Sequence, residues 1–321
     1  MRVSRVVPAS AVAVCALLAP AAAAAAEKPL ATTGGAANLT PTSALVNGTV
    51  NPRGAQTTYF FRYGTTRSYG AQTPTQSAGA GTSVRRIAEG LAGLAPATTY
   101  HYRLIARNAE GVTRGADRTF KTPRQPLGVS LVATPNPIFP GRATTLAGVL
   151  SGTGNANRQV VLQFNPFPYT QGFQNLGDAH VTDANGAFSF PLLGLTLNTQ
   201  YRVLLPQNQS VQSPIVALGV APRVRASAKR VRRTRRGAIV RFRGRVTPAH
   251  DGTQIAIQRL RRGNWVTING TVARHTRSGQ YSRYSKRLRL RRGGTFRVWA
   301  GVTSGDHVPA ASRELRVRVR R

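Results

Sequence analysis

Apolar and polar residues alternate one by one over long parts of this chain. Tyr59, Phe61 and Tyr63 alternate with Phe60 and Arg62, and Tyr100, Tyr102, Leu104 and Ala106 alternate with His101, Arg103, Ile105 and Arg107. Further on, Val240, Phe242, Gly244 and Val246 alternate with Arg241, Arg243 and Arg245. Leu288 and Leu290 alternate with Arg287, Arg289 and Arg291, and Leu315, Val317 and Val319 with Arg316, Arg318 and Arg320. A period of two sends successive side chains to opposite faces, so each run predicts a strand with one buried face. No window carries the 3.6-residue period of a long amphipathic helix. The 32 glycines and 20 prolines fall between the alternating runs, which places turns about every 8–12 residues and makes the chain all-β.

One segment carries more than periodicity. Leu94-x-Pro96-x-Thr98-x-Tyr100 is followed by Tyr102-Arg103, Asn108, Gly111 and a closing Thr119-Phe120-Lys121-Thr122-Pro123. This order resembles the tyrosine-corner region of fibronectin type III domains, over about residues 31–123. The family's tryptophan is missing, and Ala44–Val50 occupies its place. The resemblance implies a β-sandwich and says nearly nothing about activity, since such sandwiches host many binding roles.

Two later segments resemble each other. Gly141, Leu146 and Gly148 match Gly237, Phe242 and Gly244 at an offset of 96, and Val160-x-Leu162-Gln163 matches Ile255-x-Ile257-Gln258 at 95. Gly186-Ala187-Phe188-Ser189 is aligned with Gly279-Gln280-Tyr281-Ser282, and Tyr201-Arg202-Val203 with Phe296-Arg297-Val298. Such order and spacing mark an internal repeat, and the two units resemble bacterial immunoglobulin-like repeats. The expected architecture is three tandem Ig-like/fibronectin type III-like β-sandwiches after a signal peptide: 1–26 signal peptide, 27–123 fibronectin type III-like, 124–221 Ig-like, and 222–321 strongly basic and Ig-like. Short proline-bearing linkers at Pro123–Pro126 and Val220–Pro222 predict semi-rigid connections.

The signal segment is read from Arg2 and Arg5, an apolar stretch from Val6 to Ala19 and an alanine run ending at Ala26, with cleavage expected before Glu27. Retention of this segment as an anchor is the alternative. The single cysteine, Cys15, lies inside it, so the expected mature chain has neither disulfides nor a thiol nucleophile. The chain is expected to be secreted and extracellular, with possible retention at the cell surface.

Charge then changes the picture. The formal net charge is +36, from 45 Lys and Arg against 9 Asp and Glu. Residues 27–123 carry 11 basic and 4 acidic side chains, 124–221 carry 4 and 2, and 222–321 carry 28 and 3. Arginine outnumbers lysine 41 to 4. A GC-rich genome accounts for Arg over Lys, but not for a gradient within one chain. The gradient points to a polyanionic partner, for which arginine's planar fork is suited. The candidate polyanion-binding residues are Arg241, Arg243, Arg245, Arg287, Arg289, Arg291, Arg316, Arg318 and Arg320. The run Lys229–Arg236 is expected on the loop leading into the first of these strands. A competing explanation is that the arginines only keep sheet edges soluble.

Other chemistry is thinner. Phe164–Phe173 reads as a long aromatic loop, and Phe167, Tyr169 and Phe173 form a possible glycan platform, which would make the chain a carbohydrate-binding accessory protein. Trp299 shares the outward parity of Arg297. His101 is expected to be merely solvated. The five histidines and nine acids show no ligand or catalytic spacing, so no metal, cofactor or catalytic group is assigned. Asp183-Ala184-Asn185-Gly186 reads as a turn rather than a calcium loop. The expected function is a non-catalytic adhesion or scaffold protein for anionic envelope or matrix polymers, without sequence-specific nucleic-acid recognition or a transmembrane segment after cleavage.

Overall fold

A computed structural model describes residues 25–319. The signal segment up to Ala24, with Cys15, and Arg320 lie outside the described residues. Every described element is a β-strand, and the pairings are antiparallel apart from one parallel bridge, between Ile138 and Val220. No helix among the described residues is long and apolar enough to cross a membrane. The chain separates into two compact units, one ending at Gln125 and one starting at Pro126. Three apolar cores fill them, one in the first unit and two in the second.

In the first unit, strands Leu30–Ala37, Ser43–Asn51 and Arg85–Ala92 make one sheet. A second is built around Thr57–Gly64 and Thr99–Asn108. Tyr59, Phe61, Tyr100, Tyr102, Leu104 and Ala106 all point into the core, as their alternation predicts. Tyr102 and Tyr100 each pack on Phe120 at 5.6 Å between ring centroids. The Tyr100 hydroxyl accepts a hydrogen bond from the Ala95 N–H at 2.9 Å, closing the corner that the motif implied.

The two sandwiches of the second unit repeat one construction. Gly148 stands opposite Phe188, and Gly244 stands opposite Tyr284. A Cβ on Gly148 would come within 2.0 Å of the Ser130 carbonyl oxygen and 2.6 Å of the Phe188 ring. A Cβ on Gly244 would meet the Arg225 carbonyl oxygen at 1.9 Å and the Tyr284 hydroxyl at 2.3 Å. Each glycine thus leaves space that an aromatic ring and a neighbouring backbone occupy. Arg202 Nε donates to Gln163 Oε1 at 2.8 Å, and Arg297 Nε donates to Gln258 Oε1 at 2.7 Å. The Ser213 hydroxyl accepts from Val203 N–H, and the Ser312 hydroxyl from Val298 N–H, both at 3.0 Å. One detail of the repeat is corrected. The partner of Phe188 is Tyr284, not Tyr281, because the third sandwich places three more residues between its turn glycine and the ring that covers the glycine.

The segment joining these two sandwiches is held on both sides. Val220, Ala221 and Pro222 are buried. Ala221 N–H donates to the Ile138 carbonyl at 2.7 Å, while the Val220 carbonyl accepts from Val308 N–H at 3.0 Å. The third sandwich has one sheet of Arg223–Thr234, Gly237–Thr247, Ser282–Leu290 and Arg274–His275. Its other sheet is built on Gln254–Arg261, Asn264–Val272 and Gly294–Gly301. Lys229–Thr234, expected in a loop, continues the strand that starts at Arg223. The half-buried Val224, Ala226 and Ala228 pack on the core and carry the strand forward into the basic run.

Replacing Tyr100 by Phe removes the corner hydrogen bond without opening a cavity. Urea unfolding of the first unit is expected to show a loss of about 1 kcal/mol, with the second unit unchanged.

Candidate polyanion-binding site

The pleat of the third sandwich sorts its residues by parity. Val240, Phe242 and Val246 are fully buried, which turns Arg241, Arg243 and Arg245 outward. Cross-strand register then lines up arginines from four strands. Arg225 pairs with Arg245, Arg245 with Arg283, and Arg283 with Arg274, so one rung across the sheet consists of arginine alone. The next rung is Ser227, Arg243 and Ser285, and the one after is Lys229, Arg241 and Arg287. These residues, with Arg313, line an open hollow of about 1200 Å³, except Lys229 and Arg287.

Tyr281 organises one end of the hollow. The Arg245 and Arg283 guanidiniums lie 5.2 and 5.3 Å from its ring centroid, and Arg283 Nη2 donates to its hydroxyl at 2.9 Å. Two guanidiniums are therefore held in place by the ring, which restricts their rotamers. Among the described residues, no carboxylate lies within ion-pairing distance of these arginines. The acids that do pair hold Arg53, Arg67 and histidines.

Of the nine arginines singled out by alternation, the eight described ones do not share one surface. Arg241, Arg243 and Arg245 line the hollow, and Arg287 and Arg289 continue the same strand face beyond it. Arg316 belongs to the other sheet, opposite Thr295. Arg291 follows the end of its strand at Leu290, and Arg318 follows the strand Leu315–Val317. Arg225, Arg274, Arg283 and Arg313 were missed. Arg225 and Arg283 have the alternation that would have found them, in Val224–Ala228 and Ser282–Leu288. Arg274 sits on a two-residue strand that no periodicity reveals.

The aromatic loop is shorter than expected, since Phe164–Pro166 end a strand. Its three rings do not form one platform. Phe167 meets Tyr169 edge-on at 5.6 Å and borders Gly305 of the third sandwich. Phe173 is covered by the Arg202 guanidinium at 4.3 Å. In the third sandwich the equivalent arginine, Arg297, covers Trp265 at 4.5 Å rather than joining Trp299. The Asp183 segment is a turn, with Asp183 Oδ1 accepting from the N–H groups of Asn185 and Ala187, each at 2.8 Å.

The histidines and acids are less dispersed than their spacing suggests. His101 Nδ1 lies 2.8 Å from Asp117 Oδ2, and Tyr69 donates to the other oxygen at 2.6 Å. Burial raises the Asp117 carboxyl, but the hydrogen bonds from Tyr69 and His101 and the charges of His101 and Arg67 outweigh it, so the net shift is downward. His250, Asp306 and His307 also meet, with potential ligand atoms all within 4.8 Å of one another. Burial again raises Asp306, and hydrogen bonds from Ser304 and His250 with the adjacent imidazoles hold it down at about 2. Burial, then the charge of His250, push His307 down against the pull of Asp306.

No family model matches this chain, and no curated protein matches it. Among solved structures, it is similar to the FN1-FN3 domains of chicken CNTN1 at 15% identity, covering 90% of this chain and 99% of that one, with a TM-score of 0.29. A stretch of titin domains is 14% identical over 90% of this chain and 98% of its own, with a TM-score of 0.37. A tetra-tandem repeat from the extending region of a large adhesion protein is 13% identical over 91% and 73%, with a TM-score of 0.30.

The Asp117 shift sets an acid limit on the first unit. Its folded value lies below the unfolded one of about 3.9, so its stabilisation is complete above that pH and is lost as pH falls through the folded value. Asp117→Asn is expected to flatten the fall of the first unit's urea midpoint below about pH 4, measured beside the parent chain.

Proposed function

We propose that this chain is a non-catalytic adhesion or scaffold protein of the cell exterior, and that its third sandwich holds anionic envelope or matrix polymer. The observation that carries this reading is the four-arginine rung Arg225–Arg245–Arg283–Arg274, two of whose guanidiniums lie against the Tyr281 ring. Like charges directly opposite each other on a sheet are destabilising, by about a few tenths of a kcal/mol per pair. A chain of phosphates or carboxylates laid across the rung removes that repulsion and releases its own counterions. Each guanidinium offers two parallel N–H donors to such a group, which favours repeated oxyanions over neutral sugars.

Multivalency suits the geometry. The Lys229–Arg241–Arg287 rung lies further along the same face, so a long polymer leaving the hollow meets more cations. Binding of this kind is reversible and salt-sensitive, and requires neither a deep pocket nor a helix for a DNA groove.

The test replaces Arg225, Arg245, Arg274 and Arg283 together by Gln in the full chain. A control variant carries Arg62, Arg86, Arg107 and Arg114 as Gln, removing the same charge from exposed positions of the first unit. Binding to purified cell envelope and to long-chain polyphosphate is measured from about 50 to about 500 mM salt. The rung variant is expected to lose most of its affinity, and its salt slope falls by about 1 per lost contact, while the control binds like the parent. Equal behaviour of the two variants, or binding insensitive to salt, overturns the reading.

A further inference from the structure

The junction between the second and third sandwiches brings together three groups that the anion hollow does not use. His250 follows the strand Gly237–Thr247, and Asp306 and His307 lie in the loop after Gly294–Gly301. Two imidazoles meet one carboxylate here, their rings edge-to-face at 4.5 Å between centroids. His250 Nε2 lies 2.8 Å from Asp306 Oδ2, and His307 Nδ1 lies 3.2 Å from the same oxygen.

His307 is the unusual member. Only 3% of it is exposed, yet neither ring nitrogen makes a well-formed hydrogen bond. Nδ1 approaches Asp306 outside hydrogen-bond geometry, and a backbone group of Thr196 lies near the ring. A buried imidazole whose nitrogens have only such poorly aligned neighbours is costly, and a better-placed partner relieves that cost. His250 has the opposite property. Its Nδ1 faces the Pro248 carbonyl at 3.3 Å while Nε2 faces Asp306, so both nitrogens point at oxygens and only the imidazolium satisfies both. Coordination resolves both problems. With Nε2 on a cation, Nδ1–H is left to donate to Pro248, the arrangement that usually orients a ligating histidine.

We propose that His250, Asp306 and His307 form a binding site for a divalent transition-metal ion, of the zinc class, at this junction. Two nitrogen donors and one oxygen disfavour calcium and magnesium, which prefer all-oxygen shells. A tetrahedral ion with bonds of about 2.0–2.2 Å is held by three protein ligands and leaves one position for water. The donor atoms already lie within 4.8 Å of one another, close to the spacing of ligands that share one ion. The direct His250–Asp306 contact then opens around the ion. Asp306 Oδ1 accepts a hydrogen bond from the Ser304 hydroxyl, which fixes the carboxylate plane.

The supporting shell reaches the second sandwich. Asn198 N–H donates to the Asp306 carbonyl at 2.8 Å, and its side-chain amide donates to the Gly305 carbonyl at 2.8 Å. Its side-chain oxygen accepts from Val220 N–H at 2.8 Å. The loop that supplies two ligands is therefore pinned to the neighbouring sandwich, and an ion there stabilises the junction as well as the third sandwich.

The full chain, stripped with chelator, is titrated with Co²⁺ and followed in the visible region, then displaced with Zn²⁺. One equivalent of Co²⁺ per chain is expected to give the intense absorption of a tetrahedral centre, bleached by Zn²⁺, and to raise the thermal midpoint of the second unit. His250→Gln and His307→Gln each abolish the band, and Ser304→Ala weakens Co²⁺ binding about tenfold. His275→Gln, at an exposed histidine, leaves the band unchanged. Metal-free His250→Gln, at a half-buried position, is compared with the parent by near-ultraviolet dichroism, so that misfolding is separated from ligand loss. Absence of a tetrahedral band in the parent chain, or its persistence in folded His250→Gln, overturns the site.

Discussion

Complete burial of Val240, Phe242 and Val246 decides everything on the outer face of the third sandwich. Each buried side chain of this size contributes about 1.5–3 kcal/mol, and a slip of one residue in either direction would exchange two of the three for arginines. The repulsion across the arginine rungs is smaller, at a few tenths of a kcal/mol per pair. Burial therefore wins, and the sheet can display a concentration of positive charge that no local preference would choose. The core lends the surface its order.

The same asymmetry explains why the charge is not self-neutralised. The expected mature chain has only 3 acids among residues 222–321, and two of them are engaged with histidines. Asp306 holds the junction and Asp251 faces His275, so neither reaches the hollow. In the first unit, by contrast, Asp117 is shared by Tyr69, His101 and Arg67, and the acid serves local structure. Opposite charge in this chain is spent on fixing loops.

Much of the fold was legible because period-two alternation is a local signal. Tyr59–Tyr63 and Tyr100–Ala106 needed no partner to be read, and the tyrosine corner was complete within Leu94–Tyr100. The repeat was visible for the same reason, as its glycines and its Gln–Arg pairs keep nearly constant spacing. Legibility failed where register decides. Tyr284 rather than Tyr281 covers Gly244, and only strand pairing shows that. Arg274 joins the rung through a two-residue strand. His250 and Asp306 stand 56 residues apart, a separation that no spacing rule links. The basic run Lys229–Thr234 was misplaced because charge density resembles a loop, whereas the half-buried Val224, Ala226 and Ala228 ahead of it were already setting a strand.

The segment Val220–Pro222 has a mechanical consequence. Its backbone is hydrogen-bonded to Ile138 on one side and to Val308 on the other, so it has no slack. Tension applied to the third sandwich passes into the second through these bonds and through Asn198, rather than first straightening a tether. Several such bonds must break together before the two sandwiches part. A load on the third sandwich is therefore shared by the second from the start.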